Sequence, residues 1–310
     1  MTDSLLTVVV VSRNRREDLM RSLPRHEAPV ILVDNGSTDG TVAAVRAAFP
    51  HVEVIELTRN LAAVARNLGV LAARTPYVAF ADDDSWWAPG ALERAAAVLA
   101  GHPRVGLLAG RQLVGEAGVL DPMSAAMARA PLGRHPDGAG PDVLGFAACA
   151  AVVRRSAFLE VGGFDDVVRF PGEEERVALD LADRGWLMSY VDDVVSHHHP
   201  SPRRDQAAER QRAVARGALL TAVMRRPMRV VLRRALAEWR SGGARRDGVL
   251  AAGRRLPAAL RRRHPVSPHV EDRLRLLAAA EARPADAAPP GLVPSSPGQH
   301  GHVWPRSAAG

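Results

Sequence analysis

Four short apolar runs, each followed by a polar loop and a helix-period stretch, constrain this chain more than any other feature. Residues 6–11 (LTVVVV), 29–33 (PVILV), 52–57 (VEVIEL) and 77–81 (YVAFA) read as strands, rich in β-branched side chains. Stretches 16–23, 41–49, 60–73 and 89–99 carry helical periodicity between and after them, and 105–109 reads as a fifth strand. Strict β-α alternation implies an α/β fold with a mostly parallel sheet flanked by helices. In such sheets ligands gather beyond the carboxyl ends of the strands. Three loops at those ends are unusually polar: 12–15, 34–40 and 82–85.

The last of these loops holds the densest chemistry. Asp82, Asp83 and Asp84 follow the fourth strand with no basic neighbour. Adjacent carboxylates repel unless a cation or proton neutralises them, and a hard divalent ion bound by oxygen answers that need. The same pattern also suits a turn and a helix N-cap. Residues 111–144 read as a long loop rich in Gly, Pro, Met and Ala, 146–153 as a return to the sheet, and 161–166 as a turn. A helix is expected over 173–185, opening with Glu173, Glu174 and Glu175, then short strands over 187–195 leading to His197, His198 and His199.

Composition limits the compartment and the domain plan. A single cysteine, Cys149, excludes an intrachain disulfide and fits a reducing compartment. No basic leader precedes the first apolar run, and no run approaches the roughly 18–20 residues that span a bilayer. The expectation is a cytoplasmic protein. Its net charge of +7 is uneven: residues 203–263 hold 18 arginines against four acids, a net +14, which leaves −7 for the rest. The expected domains are a catalytic α/β domain over 1–202, an Arg-rich helical appendage over 203–281, and a disordered Pro/Ala/Gly/Ser tail over 282–310. Appendage helices are expected at about 203–224, 227–240, 246–262 and 269–281.

The motifs VVVVSRNR, VDNGSTDGT, ARNLG, FADDD, VGGFDD and EEERVALDLADRGW stand in an order that resembles the family 2 glycosyltransferases. The resemblance covers about residues 5–200. It implies a GT-A fold, a nucleotide-diphospho-sugar donor and inversion at the anomeric carbon. It places Asp34 at the nucleobase or ribose, and Ser12, Arg13, Arg66, Asn67, Asp82 and Asp83 on the donor. It implies a Mn²⁺ or Mg²⁺ ion on Asp82 and Asp84, completed by a histidine after the last strand. Alternation in an extended chain puts His197 and His199 on one face and His198 on the other; His197 and His199 are the candidate pair, and which of the three binds is open. It also implies a general base at Glu174 or, because a Glu stands where the family usually has Asp, at Glu173. Gly162 and Gly163 match the family's Gly-Gly-Phe-Asp turn, in which Asp165 would hold an acceptor hydroxyl. Trp86 and Trp87 would form a sugar wall or pack in the core.

The expected activity is metal-dependent inverting transfer of a hexosyl or deoxyhexosyl group to a sugar, lipid-linked or small-molecule acceptor, in envelope polysaccharide, glycolipid or secondary-metabolite glycosylation. One rival is a nucleotidyltransferase with a similar sheet, against which no Gly-rich phosphate loop with a following Lys is found. Another is an Arg-rich nucleic-acid-binding protein, against which the Arg run carries only Trp239 as an aromatic. Arginines interleaved with Met, Leu and Val, as in MRVVLRR at 228–234, suit either peripheral contact with the anionic inner face of the plasma membrane or a solvated face of a helical bundle.

Overall fold

The computed structural model describes residues 4–201 and 207–282. They fall into two compact units, within Met1–Arg204 and Asp205–Gly310. The predicted tail lies, apart from Ala282, outside the described residues.

The first unit is built on a nine-stranded sheet. Its strands are β1 (Leu6–Ser12), β2 (Val30–Asp34), β3 (Glu53–Glu56), β4 (Tyr77–Asp82), β5 (Ser85–Trp87), β6 (Val105–Val114), β7 (Val119–Leu120), β8 (Ala151–Arg154) and β9 (Leu187–His198). Their order is β3-β2-β1-β4-β8-β6-β9-β5, with β7 on β6. The first four are parallel. β8 runs antiparallel between β4 and β6, and β9 is parallel to β6. The helices of this unit are α1 (Arg16–Ser22), α2 (Thr41–Ala48), α3 (Ala65–Ala72), α4 (Ala91–Gly101), α5 (Pro122–Ala128), α6 (Arg155–Glu160) and α7 (Glu173–Asp183). This is the α/β fold with a central sheet flanked by helices that the sequence implies, and β5, β7 and β8 pair antiparallel, so the sheet is mixed.

The strand signal is strong because β1 is four consecutive valines after Leu6 and Thr7, fully buried on both faces at Val8, Val9 and Val10. Helix α3 lies close upon it. A Cβ on Gly69 would come within 2.4 Å of Val9 Cγ1, so this crossing requires glycine. Behind β4, the rings of Phe80, Phe158 and Phe164 form a triad with centroids 5.4–5.6 Å apart. Trp87 is the buried tryptophan, its indole N–H donating to the Phe80 carbonyl at 3.2 Å.

Several elements differ from expectation. The long loop at 111–144 contains the end of β6, the short β7 and α5. The region that enters α3 is a 3-10 turn at Ala62–Val64 rather than the first turn of a long helix. The strands expected at 187–195 are one strand that runs through His198, because it pairs with β6 on one side and β5 on the other. β5 itself is too short, at three residues, to register as a periodic pattern.

His26 follows the 3-10 turn Leu23–Arg25 with both ring nitrogens enclosed and without a hydrogen-bond partner. Burial lowers its pKa from 6.5 to about 4. The folded state therefore holds the neutral ring, whereas the unfolded chain takes up a proton below pH 6.5. The stability this contributes is present above that pH and is lost as pH falls toward 4. His26→Phe is expected to flatten this acid limb; denaturant melts of both proteins at pH 7 and pH 4.5 measure it.

The second unit is helical: α8 (Ala207–Arg225), α9 (Met228–Arg240), α10 (Gly243–Gly253), α11 (Leu256–Arg261) and α12 (Pro268–Glu281). The helix expected at 246–262 is two helices, since Gly253 weakens the first and Pro257 sits at the start of the second. Helix α8 supplies the centre of the unit, with Ala218, Leu220, Ala222 and Met224 buried. Arginines brace the helices internally. Arg226 grips Glu271 through two bonds of 2.8 and 3.3 Å, and Arg245 pairs with Glu238 at 2.9 Å.

Candidate active site

The parallel register sets Ser12 opposite Asp34 and Val11 opposite Asp82, so the polar ends of β1, β2 and β4 meet at one level of the sheet edge. Asp34 is buried. Its Oδ2 accepts the Ser37 backbone N–H at 2.9 Å, while Oδ1 is enclosed with no hydrogen-bond partner. An enclosed carboxylate oxygen without a donor has unmet hydrogen-bonding capacity that a ligand N–H or O–H can fill. The loop around it is tied to the first loop: Asn14 N–H donates to Ser37 Oγ at 2.9 Å, and Thr38 N–H donates to Asn14 Oδ1 at 2.8 Å. Arg13 is exposed beside them, with its Nε 3.5 Å from the Gly36 carbonyl.

Each of the three aspartates has a different partner. Asp82 pairs with Arg66 at 2.5 Å. Asp83 accepts from Ser12 Oγ at 3.0 Å, and its backbone carbonyl accepts from Ser22 Oγ at 2.7 Å. Burial first, then the charges of Asp84 and Asp82, push the Asp83 carboxyl well above the usual range. Asp84 lies 3.3 Å from His198 Nε2, and its Oδ2 accepts the Ser201 N–H at 2.9 Å. The tight turn at Asp83 and Asp84 folds β4 back into β5, whose Ser85 pairs with His198 in β9.

That pairing separates the histidines. His197 and His199 share a face, the one against Trp86. Trp86 stacks on His197 with centroids 5.6 Å apart and meets His199 at 4.5 Å, and Arg25 covers the same indole at 4.0 Å. His198 is the one that reaches the aspartates. Strand alternation gave the split correctly; the side it faced depended on the unseen β5.

Across the site, α7 begins at Gly172 with Glu173 and Glu174 in its first turn. Glu173 is 0% exposed and Glu174 7%. The Glu173 carboxylate lies 3.6 Å from Arg66 and accepts no hydrogen bond. Burial and then Glu174 raise its pKa well above the ordinary glutamate value, with Arg66 opposing them. Burial alone would lower the pKa of Arg66, yet Asp82, Glu173 and Glu174 hold it raised. Arg66 is thus a buried bridge between β4 and α7.

Asn67 is also committed elsewhere. Its amide donates to the Phe164 carbonyl at 2.9 Å, and its Oδ1 accepts the Phe164 N–H at 2.9 Å. It clamps the Gly162-Gly163-Phe164 turn from α3. Arg176 holds the same turn through the Gly163 carbonyl at 2.6 Å. Gly163 has φ +62°, and a Cβ there would lie 2.5 Å from Asn67 Oδ1, so the clamp and the glycine require each other. Ser201 is the site residue that sequence reasoning left out, revealed only by its backbone bond to Asp84, and the pairing of β9 with β5 is what sets His198 beside that carboxylate.

Among the described residues no three His, Cys, Asp or Glu side chains converge as a ready-made metal cage. The Asp84–His198 pair nevertheless fits one. Bonds of about 2.1 Å to a six-coordinate ion set neighbouring donors about 3 Å apart, close to the observed 3.3 Å. A carboxylate oxygen suits Mn²⁺ or Mg²⁺, and an imidazole nitrogen, a less favoured donor, is tolerated by Mn²⁺ rather than Mg²⁺.

Comparison with known proteins adds to this geometry. A family model described as glycosyl transferase family 2 matches residues 7–162. An N-acetylglucosaminyl-diphospho-decaprenol L-rhamnosyltransferase of Mycobacterium tuberculosis is 29% identical over 249 residues, covering 67% of this chain and 80% of that protein. A pre-mycofactocin glycosyltransferase of the same organism is 31% identical over 220 residues, covering 66% of this chain; the chain spans 45% of that protein's length. Among solved structures, the mannosyltransferase PcManGT from Pyrobaculum calidifontis, in complex with GDP-Man and Mn²⁺, superposes with a TM-score of 0.54 at 22% identity. That match covers 91% of this chain and 76% of that one.

Proposed function

The chain belongs to glycosyl transferase family 2 and is a glycosyltransferase using a nucleotide-sugar donor, and we propose that it inverts the anomeric centre with Glu174 as general base and a divalent ion at Asp84 and His198. The observation that carries this reading is the convergence, at one sheet edge, of the Asp82–Asp84 turn with the first turn of α7 through Arg66. The nucleotidyltransferase and nucleic-acid readings give way to the family assignment.

Asp34 receives the nucleobase or ribose at its open Oδ1. Ser12 positions Asp83, and Arg13 stands at the rim of the donor loop. Asp84 and His198 would hold the ion, with Asp82 fixed beside them by Arg66. When bound, such an ion neutralises the charge that grows on the departing diphosphate. Glu174 takes the proton from the acceptor hydroxyl. The acceptor oxygen forms its bond to the anomeric carbon on the face opposite the diphosphate. The bond from that carbon to the diphosphate oxygen breaks, and its electron pair leaves with the nucleoside diphosphate. No enzyme nucleophile takes part.

The relative named for a decaprenol-linked acceptor supports a lipid-linked sugar as the acceptor and a deoxyhexose as the transferred group, in envelope assembly. A donor panel with Mn²⁺, scored by nucleoside diphosphate release with and without a polyprenyl-diphosphate sugar, tests the reading. No acceptor-dependent release from any donor would overturn it. Asp34→Asn retains the bond from Ser37 through its amide oxygen but places an NH2 donor where Oδ1 would accept. It is expected to raise the donor KM by about 10-fold with kcat little changed, as loss of one charge-assisted bond predicts. Unchanged donor KM would remove Asp34 from the nucleotide site.

A further inference from the structure

Helix α9 exposes four of its large apolar side chains. Met228, Leu232, Leu236 and Trp239 are 47, 64, 48 and 46% exposed. Their spacings of four, four and three residues align them as one ridge along the helix. Arg229, Arg233 and Arg240 each follow a ridge residue by one position, so they line one side of it, and all three are exposed. Arg246 of α10 lies over the Trp239 ring at 5.6 Å.

The opposite face fixes the helix in this orientation. Val231 and Glu238 are buried, and Arg234 donates to the Ala218 carbonyl of α8 at 3.0 Å. Glu238, the one acid of α9, faces inward to Arg245. The exposed face therefore combines apolar side chains and cations with no acid of its own helix; Asp247 on α10 is the acid next to Arg246.

We propose that this face docks on an anionic lipid surface, with the ridge entering the acyl boundary and the arginines meeting headgroup phosphates. Charge decides the occupant. A second copy applied ridge to ridge would gather the arginines of both copies around one interface with no acid of either α9 to meet them, an excess of like charge that disfavours the pairing. A lipid surface offers apolar depth and negative charge together, and suits a short amphipathic helix with a tryptophan at its end. Among the described residues no helix is long and apolar enough to cross a membrane, so this contact is peripheral. The proposal does not depend on the transfer reaction, since lipid binding is read without any donor.

The test is co-sedimentation of the full chain with vesicles of phosphatidylglycerol or phosphatidylcholine. Wild type is expected to sediment with the anionic vesicles alone, and less as salt rises. Leu232→Glu with Leu236→Glu, both exposed, should lower partitioning at least about tenfold. Arg229→Gln with Arg233→Gln should lower it about 25-fold at low salt, at roughly fivefold for each arginine near the surface. Trp emission should shift to the blue on adding anionic vesicles, and Trp239→Phe should lose that shift. Circular dichroism melts confirm that each variant is folded. Wild type that ignores anionic vesicles, or a folded Leu232→Glu/Leu236→Glu protein that binds like wild type, overturns the proposal. So does a concentration-dependent dimer abolished by that pair without any vesicle binding, which would make the ridge a protein interface.

Discussion

Glu174→Gln is expected to lower turnover by about 10²–10⁴-fold with the donor still bound, the range general-base removal produces. The choice of Glu174 over Glu173 follows from access. A base must touch the hydroxyl it deprotonates, and Glu173 is wholly enclosed against Arg66, whereas Glu174, on the same first turn of α7, retains some exposure. Glu173 serves the site differently. With Asp82 it lies against Arg66, tying α7 to the end of β4. Glu173→Gln removes this titratable group while keeping the shape. It should perturb stability and donor KM more than the chemical step, so a split between kcat and KM separates the two variants. Steady-state kinetics with saturating donor, alongside equilibrium donor binding, measure both. If Glu173→Gln loses turnover and Glu174→Gln does not, the roles are exchanged; if both retain it, α7 holds no base.

The sheet was legible because its strands announce themselves. Four valines in β1 and the unbroken apolar run of β4 leave no other buried conformation, and the helices between them force parallel pairing. The ends of β2 and β4 were legible for a related reason: Asp34 and Asp82 are charged residues abutting fully apolar strands, so they mark where the chain leaves the core. What the sequence hid were the partners. Arg66 looks like a helix-surface cation until α3 is laid on β1, where burial turns it toward Asp82 and Glu173. Asn67 looks like a donor ligand from sequence, and nothing there shows the Gly162-Gly163 turn arriving from about 100 residues away to take both ends of its amide. The histidines show the limit most clearly. Alternation divided them correctly, but the side on which each pair fell was set by a three-residue strand with no periodic signature of its own.

Asp84→Ala is expected to reduce turnover to background, and the histidines provide its internal control. Asp84 meets His198 at 3.3 Å and is held from behind by the Ser201 N–H, so its second oxygen is oriented as well as its first. Removing the carboxylate leaves the diphosphate charge without the ligand that places its counter-ion, and the leaving group is then poor. His198→Ala should weaken Mn²⁺ binding on the order of 10–100-fold, the scale on which supporting or partial ligands act, with turnover recovered in part by excess Mn²⁺. His197→Ala should leave Mn²⁺ affinity unchanged, because its ring stacks on Trp86 on the other side of the hairpin. Calorimetric titration of Mn²⁺ in the presence of nucleoside diphosphate reads these affinities without turnover. Activity that survives excess EDTA would remove the ion from the mechanism, and a Mn²⁺ affinity lost in His197→Ala but kept in His198→Ala would return the ligand to the Trp86 face.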